Sequence, residues 1–257
     1  MFSDFAHDSK PIQLVDSKVE SKRFKMTVAR LNVPIGHLAS DHEITEACLN
    51  TTAKLLIVRY PTTRARLGQQ LVVNTGRIVF QADALVYFYK NLNLDIQEKP
   101  IVGPWVFRYG GALDRSQIEG LSEIIFEDYP NHYRANSWLR MEDIRDGYVE
   151  WAQVGLSDPE KFTIIVEDKD AKQIGFALIS FDGDTAEIEL NGIHPQAQGR
   201  GAYGSLLSWL SNHLATRGVK KLCISTQIQN ERVIRAWIRA GFNLEFSLNT
   251  VHLMQRN

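Results

Sequence analysis

The sequence predicts an α+β protein: a mixed, mostly antiparallel twisted sheet flanked by helices, preceded by a smaller α/β half-domain. Three observations predict it. Between 161 and 195, three apolar strand patterns follow one another across two short polar turns, Asp168–Lys169–Asp170 and Asp182–Gly183–Asp184, as antiparallel hairpins do. On both sides of that block, apolar residues recur at helical spacing. The polar stretch NLNLDIQEKPIVGP (91–104), broken by Pro100, Gly103 and Pro104, reads as a linker. It divides the chain into domains 1–100 and 105–257.

The elements follow in order. After thirty polar residues, KLLIVRY (54–60) reads as a buried strand. PTTRARLGQQLVVNTG is a helix with Leu67, Leu71 and Val72 on its apolar side and Gly76 placed to end it. RIVFQADALVYFYK (77–90) alternates as strands do. Beyond the linker, WVFRYGG (105–111) is a strand and DRSQIEGLSEIIFEDY a helix with Asp114 as N-cap. PNHYRANSWL (130–139) is a loop, and EDIRDGYVEWAQVGL (142–156) a second helix. After the hairpins come a helix with Leu206, Leu207, Leu210 and Leu214 on one face, the strand KKLCIST (220–226), a short helix from Asn230 to Gly241, and final extended pieces. Segments 54–88 and 219–253 both run strand, helix, glycine and two strands. That is either a generic strand–helix–strand likeness or a degenerate half-copy of the C-terminal domain, without its glycine turn and so without a phosphate site.

Bulk properties narrow the function. A formal net charge of −1 supplies no basic field for nucleic acid. No apolar run is long enough for a membrane span, and the N-terminus does not read as a signal peptide. Two cysteines, Cys48 and Cys223, stand far apart without metal-ligand spacing. The expectation is a reduced, cytoplasmic protein without a metal.

The chemistry concentrates in IHPQAQGRGAYGSLL (193–207), a glycine turn between a strand and an amphipathic helix. No Gly-Lys-Ser/Thr follows, which excludes a Walker A loop. Gly199, Gly201 and Gly204 match a dinucleotide fingerprint, but the next strand ends CISTQIQN without a ribose-binding carboxylate, and too little chain remains for that fold. What remains is Gln196-Ala-Gln-Gly199-Arg-Gly201, whose glycines can turn successive N–H groups toward a pyrophosphate at a helix N-terminus. A turn that merely caps the helix would leave this pattern to accident.

With its flanking "ELNGI" strand and the later "N…AGF", this constellation resembles the GCN5-related N-acetyltransferase (GNAT) superfamily over 105–257. The resemblance implies an acyl-coenzyme A co-substrate, acetyl-CoA or 3-hydroxybutanoyl-CoA. It implies contacts from Gly192, Ile193, Gln198, Gly199, Arg200, Gly201, Ala202, Tyr203, Asn230, Val233 and Trp237. Where members often carry a tyrosine general acid this chain has Trp237, and an indole N–H is not acidic enough to protonate a thiolate. Tyr203 or the acceptor ammonium would have to do so, and Trp237 packs in the core or stacks near the cofactor. Asn230 reads both as helix cap and as pantetheine contact.

ADALVYFYK (82–90), NHYRAN (131–136) and GYVEWA (147–152) look like a narrower group, the nucleotide-sugar N-acyltransferases resembling TDP-fucosamine acetyltransferase. That implies an acceptor amine on a dTDP-linked amino-dideoxyhexose, and a possible homodimer. His132, Tyr133, Arg134, Asn136 and Trp151 would contact it, unless 130–139 is an ordinary polar turn. Arg59, Arg64 and Arg66 could reach the diphosphate, although Arg64 and Arg66 fit a solvated helix face better. Alternation places Glu187, Glu189 and Asn191 on one face, with Glu189 as candidate base, Asn191 beside it and an oxyanion-binding N–H near Ile193. The bland reading makes both glutamates exposed strand positions. A polyamine, antibiotic or protein amine as acceptor, and a non-catalytic acyl-CoA-binding module, are the other readings.

Overall fold

The computed structural model describes residues 2–6, 12–92 and 103–256; most of the expected linker lies outside them. The chain runs β1 (Gln13–Asp16), α1 (Lys18–Phe24), β2 (Val28–Asn32), α2 (Asp41–Leu49), β3 (Leu55–Pro61), α3 (Ala65–Asn74) and β4 (Ile78–Asn91). It continues through β5 (Val106–Tyr109), α4 (Arg115–Phe126), α5 (Met141–Ser157), β6 (Phe162–Glu167), β7 (Gln173–Asp182) and β8 (Thr185–Ile193). Then come α6 (Ala202–Ala215), β9 (Lys221–Gln227), α7 (Glu231–Arg239) and β10 (Asn243–Met254). The expected strands and helices form, the expected glycine turns included: Gly76, Gly183 and Gly241 all take positive φ. Where a strand pair was expected, at 77–90 and again at 243–254, a single long strand forms.

All strands join one mostly antiparallel sheet in the order β1-β2-β3-β10-β4-β9-β8-β7-β6-β5. The two parallel pairs, β2·β3 and β8·β9, are each bridged by a helix, α2 and α6. β4 from the first half pairs with β9 of the second, while β10 pairs with β3. The halves therefore exchange strands at the centre of the sheet. Ala84 of β4 lies opposite Asn249 of β10, and the strand–helix–strand units 54–88 and 219–253 meet there head to tail.

Alternation along the strands sorts the core into two layers. α6 and α7 cover one face through Leu206, Leu210 and Trp237, and α2 and α3 cover its continuation through Ile44, Leu67 and Leu71. On the other face α4 and α5 pack through Ile118, Phe126 and Ala152, with α1 beside them through Phe24. Two glycines let the helices sit close. A Cβ on Gly155 would lie 2.2 Å from Leu178 Cδ2, and one on Gly192 would lie 2.4 Å from Ile125 Cγ2. α5 thus presses on β7, and α4 presses on β8 near its end.

Candidate active site

The site begins where two strands part. β8 and β9 pair in parallel only from Thr185–Ile188 against Lys221–Ile224. Beyond that point β8 stays on β7 to Ile193 and β9 stays on β4 to Gln227, so their facing edges have no strand between them. N–H and C=O groups there have no ladder partner, which is where an extended amide chain can pair. His194 N–H turns to Ile174 of β7, so alternation directs the Ile193 N–H to the open side.

The glycine turn closes the far end of this gap. Gly199 and Gly201 hold φ of 79° and 89°, a region costly for any residue with a Cβ. Gly201 is the N-cap of α6 and offers no side-chain cap, so the first N–H groups of α6 keep their capacity for an anion. Gln198 Nε2 donates to Ile193 O at 2.9 Å, tying the turn to the end of β8. α2, at the matching place in the first half, differs. Its start is sealed by a capping box in which Ser40 Oγ accepts from Glu43 N–H and Glu43 accepts from Ser40 N–H. A pyrophosphate fits the second helix start and not the first.

Turn and gap open into a cleft of about 1620 Å³ that reaches across the sheet to α1 and α5. Gly192, Ile193, Gln198, Gly199, Gly201, Tyr203, Asn230, Val233 and Trp237 line it. Arg200 is exposed and Ala202 is buried in the core, and neither side chain lies among the lining residues. Asn230 is the N-cap of α7 without a side-chain capping bond. Its Nδ2 donates instead to Thr226 Oγ1 at 3.1 Å. Thr226 also meets Tyr129, whose O–H donates to Gln227 Oε1 at 2.7 Å. Asp114 behaves alike: it stands at the N-cap of α4, yet its carboxylate binds Arg108, Gly111 N–H and Gln173.

The central strand does not alternate through the site. Leu178 faces Leu190 while Ile179 faces Ile188, so Glu189 is the extra residue of a β-bulge. Ile188 and Ile193 pack on the α6 face, Leu190 on the α4 face. Glu187 and Asn191 therefore point to opposite faces, against the expectation that all three polar groups share one. Neither glutamate is exposed. Phe2 N–H donates to Glu187 at 2.6 Å, and burial raises the Glu187 pKa above the usual range. Glu189 is held by Lys161, with Nζ 2.7 Å from Oε2.

The segment 130–139 is not a solvated loop. It forms a short 3-10 turn over His132–Ala135 in which His132 and Tyr133 are buried, as are the flanking Asn131 and Asn136. His132 Nδ1 lies 2.8 Å from His252 Nε2, and Asn136 Nδ2 lies 3.3 Å from His252 Nδ1. Tyr133 O–H donates to Glu20, which also takes two bonds from Arg30. Burial works to raise the Glu20 pKa, but the charge and hydrogen bonds of Arg30, with Tyr133, bring it down to about 2. His132 and His252 are both held well below the usual histidine range, by burial first and then by Arg59 and Arg30. Arg134 donates to Glu127 O. Of the five expected acceptor contacts, His132, Tyr133 and Trp151 line the cleft, whereas Arg134 and Asn136 do not.

Arg59 also lines the cleft. Arg64 instead binds Asp41 and two backbone carbonyls, and Arg66 is exposed. Lys161, Tyr129, Gln227, Glu20 and Arg23 are cleft residues that sequence reasoning missed. No local pattern marks them, because they converge from different elements. Among the described residues no group of three or more His, Cys, Asp or Glu side chains is placed to hold a metal, and no helix is long and apolar enough to cross a membrane.

Residues 118–242 match the sequence model of the acetyltransferase (GNAT) family. Among solved structures, a GCN5-related N-acetyltransferase from Sphaerobacter thermophilus superposes with a TM-score of 0.62 at 14% identity, covering 95% of this chain and 76% of that one. A functionally unknown conserved protein from Staphylococcus epidermidis gives 0.62 at 9% identity over 100% of this chain and 98% of its own. A tandem GNAT protein from the clavulanic acid biosynthesis pathway gives 0.54 at 12%, over 90% and 78%. These likenesses show a shared fold. The glycine turn, the uncapped helix and the parted strands all fall inside the segment that matches the model of the acetyltransferase (GNAT) family, a family of acyl-transferring enzymes.

Proposed function

We propose that the protein transfers an acetyl or short hydroxyacyl group from coenzyme A to the primary amine of a small molecule, by direct attack. The observation that carries this reading is the single cleft that joins the uncapped start of α6, across the gap between β8 and β9, to the Glu189 carboxylate. The first N–H groups of α6 would hold the pyrophosphate, and the open edge of β8 the pantetheine arm. Bound acyl-CoA supplies an electrophilic thioester carbonyl and a thiolate leaving group.

The protein's own groups do the rest. Glu189 takes a proton from the acceptor nitrogen, freeing the lone pair that forms the new C–N bond. The Ile193 N–H stands on the open side, where charge on a carbonyl oxygen would need a donor. Tyr203 is kept protonated by burial, which raises its pKa. Its O–H returns a proton to sulfur as the C–S bond breaks. Both cysteines are buried, and burial pushes each thiol up to about 12, which disfavours a covalent thiol route.

For the acceptor, the finer reading is a dTDP-linked amino-dideoxyhexose, with its amine at C3 or C4. Two features support it: the Arg59 guanidinium on the cleft wall, and the half-exposed Trp151 ring, which offers a flat surface to a base. Thiol release with Ellman's reagent tests both levels. Acetyl-CoA and 3-hydroxybutanoyl-CoA would be offered with dTDP-amino-dideoxyhexoses, spermidine and a lysine peptide. Release with a sugar nucleotide alone supports the finer reading. Release only with spermidine or the peptide replaces that acceptor, and CoA binding without release under any condition argues for a non-catalytic module.

A further inference from the structure

Glu189 is an unusual carboxylate for a cleft wall. Its side chain is 3% exposed, and the bulge takes it out of the regular ladder between β7 and β8. One oxygen, Oε2, is 2.7 Å from Lys161 Nζ. The other, Oε1, is buried with no hydrogen-bond partner among the described residues. A buried oxygen left without a hydrogen-bond partner is destabilising, so its persistence at a binding surface points to a partner that arrives with the ligand.

Lys161 comes from a different part of the chain. It sits just before β6, and its neighbour Phe162 aligns with Ile179 of β7, which aligns with Ile188 of β8. The lysine therefore reaches over the width of β7 to meet the bulge. α5 lies directly on Leu178 of the same strand, a close approach that Gly155 allows. Asp158, at the end of α5, stands 4.0 Å from the same ammonium, more distant than Glu189. Lys161 itself lines the cleft.

We propose that Lys161 is a positioning residue for the acyl-transfer step: it occupies Glu189 Oε2 and leaves Oε1 as the one open acceptor for an N–H of the incoming amine. The role rests on the acyl-transfer reading above. Engaging one oxygen removes the carboxylate's freedom to rotate away and sets which lone pair meets the amine. The amine arrives as an ammonium, gives one proton to Oε1, and attacks with the pair so released. A lone lysine at the cleft wall would repel that ammonium; paired with Glu189, it does not.

The test is a pair of backgrounds assayed for thiol release. Lys161→Met should lower kcat by ~10–100-fold, the scale of a misplaced general base, with the KM for acyl-CoA unchanged. Lys161→Arg should recover most of the rate. In a Glu189→Gln background, Lys161→Met should cost less than about twofold more, because both changes remove the same function. CoA affinity by calorimetry checks that each variant is folded. Lys161→Met that leaves kcat unchanged, or lowers it by the same factor with Glu189 already replaced, overturns the role while the acyl-transfer reading stands. A wild-type chain that binds CoA but releases no thiol with any amine overturns both.

Discussion

Trp237 Nε1 donates a hydrogen bond to Tyr203 Oη across 2.7 Å, so a side chain only 1% exposed fixes a phenol at the wall of the cleft. The indole cannot give up a proton in this chemistry, but it fills one lone pair of the phenol oxygen. The phenol's own proton is thereby left for another acceptor. Trp237 is thus part of the core, edge-on to Phe88 at 5.6 Å, and part of the site through Tyr203.

Tyr203→Phe is the direct consequence. It should lower kcat by ~10²-fold, the lower end of general-acid contributions, and leave CoA affinity within about threefold. Trp237→Phe keeps the phenol and should lower kcat less than Tyr203→Phe does, while costing more stability because a buried indole is removed. Steady-state kinetics beside thermal melts would separate the two. Equal losses of kcat would remove Tyr203 from the proton path.

Gly199 offers a clean test of the phosphate turn. A Cβ there meets nothing within 4 Å, and φ is 79°. The penalty for Gly199→Ala is therefore conformational, about 1–2 kcal/mol. If the turn must hold this shape to bind, CoA affinity falls about 5–30-fold. Gly76→Ala is the matched control: φ is 65°, its Cβ likewise has no contact, and it lies away from the cleft. It should lower stability similarly and leave the CoA Kd unchanged in a calorimetric titration.

What could be read from the sequence is what is local. The hairpins of 162–193, the helix start at Gly201 and the positive-φ stops at Gly76 and Gly241 depend on neighbours within a few residues. The bulge at Glu189 does not show, because EIELNGI alternates well enough to suggest a regular strand; only pairing with β7 reveals the extra residue. Nor does periodicity state strand order, so the passage of β4 between β9 and β10 was invisible. The same holds for Lys161 with Glu189, Tyr129 with Gln227 and His132 with His252, which are joined across 28, 98 and 120 residues. NHYRAN reads as a polar loop, yet Asn131, His132, Tyr133 and Asn136 are buried, with Tyr133 meeting Arg30 and both His132 and Asn136 meeting His252 on the sheet beneath.

Arg59 is the cleft cation that separates the acceptor classes. Its Nε donates to Thr250 Oγ1 at 3.3 Å, and no salt bridge holds it among the described residues. Arg59→Ala should raise the KM of an acceptor carrying a diphosphate by ~10–100-fold, in line with hydrogen bonds to charged groups. The KM for acyl-CoA should not change. An acceptor lacking an anionic end should show no such rise, so one variant assayed on two acceptors reads the class directly.

The buried histidine pair sets an acid limit on stability. His252 is held at about 3 and His132 well below 6.5, burial being the main cause in each. In the unfolded chain both take up a proton near 6.5, and in the folded chain neither does. Stability is then complete above that value and declines as pH falls, by up to about 1.4 kcal/mol per pH unit for each histidine. Glu20 acts lower down: with its folded value near 2 against 4.5 unfolded, its contribution persists to about pH 4.5 and disappears as pH falls toward 2. Urea melts at pH 7, 6 and 5 should therefore show unfolding free energy decreasing progressively faster below pH 6.5. His252→Gln should be less stable at pH 7, having lost its contacts with His132 and Asn136, but its decline between pH 6 and 5 should be roughly half as steep. A wild-type stability that stays flat down to pH 5 would mean that the pair accepts a proton in the folded state, and the buried polar turn beneath the cleft would then be a solvated one.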